Sequence, residues 1–191
     1  FDRVYKLHEM LVRNYNVQFE LLFGFGVKDV TVEYSTDGEE WTVLGDVSLA
    51  QATAKATYAA NTTVPFDGVP VKFVRLNINS GHGPMGQYGL SEVRFLYIPA
   101  QAREPQPADG AAGVDVTTAL SWRAGRDAAS HEVYLGADAD AMALVGTTAG
   151  VTVTPGTLEF GSTYYWMVDA VNPADANPTW GSALWSFSTQ E

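Results

Sequence analysis

The sequence predicts an all-β protein built as two β-sandwiches in tandem, and three observations carry that prediction. Short runs in which apolar and polar residues alternate recur along the whole chain, as half-buried strands require. Gly, Pro, Asn and Asp cluster between those runs, where tight turns need them. One Pro-, Ala- and Gly-rich stretch, residues 98–113, interrupts the alternation midway, so the 191 residues divide into two parts of ordinary domain size. The boundary is placed near Arg103, giving residues 1–103 and 104–191.

The chain opens without an initiator Met on strand-like residues, Phe1 to Val12, and is expected to be a fragment or a processed product. In VKDVTVEYSTDGEEWTVL, Val30, Val32 and Tyr34 share one face and Thr31 and Glu33 the other, and Asp37-Gly38 turns the chain into a second strand. The Ala-rich stretch Ala50 to Ala60 fits a helical turn, an edge strand or a loop equally well. In VKFVRLNIN, Val74, Leu76 and Ile78 oppose Arg75 and Asn77; in SEVRFLYIP, Val93, Phe95 and Tyr97 oppose Glu92 and Arg94. The second part continues with LSWRAG, SHEVYLG, MALVGT, VTVTPG, TYYWMVDAVN and ALWSFST, short β-prone runs at the spacing of a sandwich.

Charge and composition narrow the function classes. The net charge is −11; residues 104–191 carry two Lys or Arg against eleven Asp or Glu, and residues 1–103 carry nine against eleven. So acidic a surface repels nucleic-acid phosphates and anionic lipid, and no nucleic acid is expected as a partner. No apolar run approaches the ~20 residues of a membrane span, so membrane insertion is not expected. Cysteine is absent, which excludes disulfides, thiolate metal sites and a Cys nucleophile. The sequence holds no G-x-S-x-G, H-E-x-x-H or P-loop pattern, and it reads as a protein without catalytic activity. Gly24 to Gly26 reads as a simple turn, and His8 and His131 as structural residues within strands.

Four segments in order, VYKLHEMLVRNYN, VEYSTDGEEW, KFVRLNI and GLSEVRFLYI, make residues 1–99 resemble a discoidin-type domain, the family of the coagulation-factor C-type domains and many bacterial carbohydrate-binding modules. The resemblance begins partway into the family pattern, so it implies a jelly roll whose first strands have no counterpart here. A sandwich lacking them leaves the Phe1 to Val12 strand beside a vacancy, and the expectation is that residues from outside 1–99 complete it, through self-association by strand exchange. The second part resembles a fibronectin type III sandwich. Leu158, Gly161, Ser162 and Tyr164 stand at the spacing of that family's tyrosine corner, and Trp122 stands at its early-strand core position.

A discoidin-like domain from an exported bacterial protein implies carbohydrate binding at the cell surface or in the secreted fraction, with the second sandwich as a spacer. The alternative is a structural subunit of an extracellular filament or surface layer. Sugar recognition needs an aromatic face together with amide or imidazole groups on loops at one end of the sandwich. The candidates are Asn14, Tyr15 and Asn16 after the first strand and His82, Gln87 and Tyr88 in SGHGPMGQYG, two segments that the family pattern brings together. The resemblance also implies a partial structural calcium site at Glu92 and Ser91; no other cofactor is called for. Asp138 and Asp140 read as an ordinary acidic loop. Trp41, Trp122, Trp166 and Trp185 are expected in the cores, and Trp180, after a Pro- and Asn-rich loop, is expected to be exposed as a secondary contact.

Overall fold

The computed structural model describes residues 1–191 and is all-β, with sixteen strands and one four-residue helix. The chain forms two compact units, Phe1–Ile98 and Pro99–Glu191. The division falls before Arg103 because Arg103–Gln106 is itself a strand of the second unit, paired to Leu120–Arg123.

The first unit contains β1 (Tyr5–Asn14), α1 (Glu20–Phe23), β2 (Asp29–Ser35), β3 (Thr42–Ser48), β4 (Thr62–Pro65), β5 (Pro70–Val71), β6 (Phe73–Ile78) and β7 (Leu90–Ile98). One sheet is built on β1 and the other has the order β3-β2-β6. Between them lie Leu7, Met10 and Val12 of β1, Val27, Val30 and Val32 around β2, and Leu49, Val64, Phe66 and Val71, all at most 3% exposed. Burying these ten side chains supplies most of what holds the unit together, at about 1.5–3 kcal/mol for each large aliphatic or aromatic side chain. Residues 51–60 form neither helix nor strand.

Here the expected vacancy beside the first strand is corrected. β1 is a central strand: β7 pairs with it from Lys6 to Asn14, and β4 and β5 pair with Glu9–Val12 and Tyr5–Lys6. β4 and β5 run in succession along one edge, and the turn between them closes the gap, with Phe66 N–H donating to the His8 carbonyl and Leu7 N–H to that of Val69. Its backbone groups are therefore paired within the unit and its apolar side chains covered, which removes the physical basis for completion by strand exchange. A register shift between Leu7 and Glu9 turns His8 outward, exposed rather than packed.

The second unit contains β8 (Arg103–Gln106), β9 (Ala111–Val114), β10 (Leu120–Arg123), β11 (Ser130–Gly136), β12 (Ala143–Thr148), β13 (Thr152–Val153), β14 (Thr163–Val171), β15 (Thr179–Gly181) and β16 (Trp185–Thr189). A three-stranded sheet, β13-β10-β8, lies opposite the sheet β12-β11-β14-β16-β9, in which β15 also pairs with β14. The core between them holds Trp122, Leu120, Val133, Leu135, Leu158, Trp166, Val168, Trp185 and Phe187. Three of the expected core tryptophans are thus buried. The other two depart from expectation: Trp41 is only partly buried, with the Arg75 guanidinium 3.9 Å over its ring, and Trp180 is 5% exposed because β15 pairs it against Ala170. Trp180 is therefore no surface contact.

The Tyr164 hydroxyl accepts a 3.1 Å hydrogen bond from Glu159 N–H, beside Leu158, whose own N–H donates to the Val116 carbonyl. This is the return bond that the corner spacing predicts. Tyr164→Phe leaves Glu159 N–H without that acceptor and should lower the unit's stability by about 1 kcal/mol; an unchanged denaturation midpoint would show that the bond is immaterial.

His131 is 2% exposed, 5.3 Å from Trp122 and edge-on to it, and neither ring nitrogen has a hydrogen-bond partner. Burial holds its pKa below the usual 6.5, with the backbone of Gly150 and Thr148 acting weakly the other way. A depressed folded pKa means that the unfolded chain binds the proton more tightly. The contribution is therefore present above about pH 6.5 and is lost as pH falls through the folded value. The second unit's midpoint should drop between pH 7.5 and pH 5, and His131→Phe should remove that part of the drop. Asp169, raised by burial and by Glu132 directly across the sheet, titrates in the opposite sense and is unchanged by that variant. Equal pH dependence in both proteins would refute the assignment.

Candidate functional site

At one end of the first sandwich three connections meet: residues 15–27 after β1, 49–61 after β3 and 79–89 after β6. Two buried polar side chains hold the first two of them together. Asn14, fully buried at the end of β1, donates from Nδ2 to the carbonyls of Val27 at 2.6 Å and Ala50 at 2.9 Å. Its Oδ1 accepts from Tyr15 N–H at 2.9 Å and Val27 N–H at 3.0 Å. Its backbone N–H donates to the Tyr58 hydroxyl, which donates in turn to Asn61. Glu20, equally buried, accepts from the N–H groups of Phe25 and Gly26, while Gln51 Nε2 donates to the Glu20 carbonyl. Every hydrogen-bonding position of the Asn14 amide is filled, so Asn14 builds the end of the sandwich and cannot contact a ligand.

The turn read at Gly24 to Gly26 ends a helix. Gly24 N–H donates to the Glu20 carbonyl and its φ of 62° is left-handed, which glycine adopts without strain. A Cβ on Gly24 would lie 2.4 Å from Gly83 N, and one on Gly83 would lie 1.8 Å from the Phe23 carbonyl oxygen. Glycine at both positions is what lets the two backbones touch. Bridges from Gly26 to Gly89 and from Val27 to Gly81 extend the contact.

The same end of the sandwich holds a pocket of about 340 Å³ lined by Tyr15, Val17, Gln18, Phe19, Phe25 and Gln87. Two of the six predicted ligand residues, Tyr15 and Gln87, line it together, one from each predicted segment. Tyr15 is 38% and Phe19 56% exposed, and Phe23 stands 6.1 Å from the Phe19 ring and 5.7 Å from that of Phe25. The other predicted residues sit beside the pocket. Asn16 donates from Nδ2 to the Lys55 carbonyl and from its backbone to Ser91 Oγ. His82 Nε2 lies 2.9 Å from the Leu49 carbonyl oxygen and ties two loops together. Tyr88, half-exposed, lays its ring over Gly81, where a Cβ would come within 2.5 Å of it. Val17, Gln18, Phe19 and Phe25 were missed. A signal existed for Phe19 alone, in the apolar run FELLF between strands, too short to alternate and too apolar for an ordinary loop; Val17, Gln18 and Phe25 flank that run without a pattern of their own.

Glu92 is bonded to the guanidinium groups of Arg13 and Arg94, and Arg94 first, then Arg13, holds its carboxyl below the usual carboxylate range. Calcium needs six to eight oxygens, and here a single carboxylate is already neutralised by two cations. No group of three His, Asp or Glu side chains gathers elsewhere. Glu92 and Ser91 do not fit a calcium site. Asp138 Oδ1 accepts from Asp140 N–H, an ordinary acidic turn.

No protein-family model and no curated protein matches the chain. Among solved structures it is similar to a Fn3-like protein from Clostridium thermocellum, at 20% identity over 49% of this chain and 96% of that one, with a TM-score of 0.38. It is also similar to a beta-1,2-glucanase from Parabacteroides distasonis, at 16% identity over 99% of this chain but only 28% of that one, with a TM-score of 0.35. The FN1-FN3 domains of chicken CNTN1 are 16% identical over 86% of this chain and 56% of that one, with a TM-score of 0.30. At these scores none of the three bears on what this chain binds.

Proposed function

We propose that the first unit is a discoidin-like carbohydrate-binding module of an exported bacterial protein, and that the second unit is its spacer. The observation that carries this reading is the pocket itself, where the aromatic faces of Tyr15, Phe19 and Phe25 stand beside the amides of Gln18 and Gln87. Aromatic rings pack against the C–H face of a sugar, and amides offer both donors and acceptors to its hydroxyls. The reading is non-catalytic. Glycoside cleavage calls for two carboxylates flanking the bond, whereas no carboxylate lines this pocket, and Glu20, within the same loop, is buried and occupied by backbone amides.

A glycan array probed with the whole chain, followed by titration of the strongest binder, tests the proposal. Phe19→Ala and Tyr15→Ala should each weaken binding at least about tenfold, through loss of a stacking face. Both side chains are substantially exposed, so the denaturation midpoint should stay put. Undiminished binding in both variants would place the sugar elsewhere.

A further inference from the structure

Resting on that carbohydrate reading, we infer that the pocket selects uncharged sugars and rejects their acidic counterparts, the uronic-acid and sulfated glycans. None of the six lining side chains carries a charge at neutral pH. The surroundings repeat the pattern. Across residues 15–27, 49–61 and 79–89 the acids and bases are Glu20, Lys55 and His82. Glu20 is buried and His82 is tied to the Leu49 carbonyl. Lys55 lies on a neighbouring loop and outside the lining. The three connections are almost uncharged in a chain of net charge −11, and the charges on the adjoining strand ends, Arg13, Glu92 and Arg94, pair with one another and lie outside the lining.

A carboxylate or sulfate is held by a guanidinium, an ammonium or converging backbone N–H groups. Against the ring faces of Tyr15, Phe19 and Phe25 it would meet the negative side of an aromatic quadrupole and lose water without replacement. Hydroxyls have the opposite fate. Gln18 and Gln87 line the pocket and make no side-chain hydrogen bond to the protein, so the two donors and the acceptor of each amide are free for a ligand. The first unit adds no cationic field that would draw a polyanion in, because residues 1–103 carry nine Lys or Arg against eleven Asp or Glu.

The test uses the whole chain and matched pairs of polysaccharides, a neutral glucan or galactan against its carboxylated or sulfated form. The neutral member should bind at least about tenfold more tightly, since binding the acidic one leaves a charge unpaired. Its affinity should change by less than about twofold between roughly 50 mM and 500 mM NaCl, because no ion pair is made. Gln87→Arg, at an exposed position, should raise affinity for the acidic member about fivefold or more by supplying the missing cation. Equal or tighter binding of the acidic form by the native chain, or an affinity that collapses with salt, would overturn the selectivity while leaving sugar binding intact. Failure to bind either member of every pair would instead overturn the carbohydrate reading on which the selectivity rests.

Discussion

Asn14→Ala should cost the first unit about 3–5 kcal/mol, enough to unfold a domain of ordinary stability or bring it close to unfolding. The side chain is fully buried and satisfies four backbone groups: the N–H groups of Tyr15 and Val27 and the carbonyls of Val27 and Ala50. Alanine can replace none of these bonds; Val27 N–H keeps only its longer 3.4 Å bond to the Gly89 carbonyl, and each buried group left unpaired costs roughly 1–3 kcal/mol, less whatever water recovers. The affected groups belong to two different connections, 15–27 and 49–61, so the loss falls on the arrangement of the loops as well as on β1. Hydrogen exchange at Tyr15 and Val27 should accelerate before that of the β2 amides. A loss below about 1 kcal/mol would mean that the loops hold together without this amide.

Trp166→Ala should cost the second unit about 3–5 kcal/mol, the range for emptying a large aromatic site in a core. Trp166 is fully buried on β14, its ring 4.8 Å from that of Trp185 and edge-on to it, within the cluster that joins the two sheets. Its indole Nε1 has no hydrogen-bond partner. Trp166→Phe should therefore cost much less than alanine, because the lost volume is partly offset by removing a buried donor that makes no bond. Denaturation of the two variants side by side checks both numbers. Equal costs for Phe and Ala would show that an aromatic ring at this position does not help to fill the core.

The strands were legible wherever a long alternating run carried them. Val30 and Val32 are buried as their alternation requires, and β11 buries His131, Val133 and Leu135 in strict turn. Pairing was not legible. β5 is two residues, Pro70 and Val71, too short for any period, yet it and β4 are what cover one edge of β1. A resemblance that began late in a family pattern therefore suggested a vacancy that the chain's own short strands fill. The site was half legible for a similar reason. Residue type pointed to Tyr15 and Gln87, but it cannot distinguish an amide facing a ligand from one holding loops together, which is why Asn14 was read as a contact. Phe19 and Phe25 flank the Gly24 turn, whose backbone meets that of Gly83, a tertiary contact that no local pattern announces. Trp180 misled because its Pro- and Asn-rich neighbours read as loop, whereas β15 folds it in against Ala170.

On the proposed reading, sugar binds at the loop end of the first sandwich, in the pocket between Tyr15 and Gln87. Chemical-shift mapping of the intact chain titrated with the strongest neutral glycan tests it most directly. The predicted result is a set of shifts centred on Tyr15, Gln18, Phe19, Phe25 and Gln87, with intermolecular contacts from the aromatic rings to sugar C–H protons. Shifts centred on the second unit, or on the outer face of β2 and β6 around Trp41 and Arg75, would contradict it.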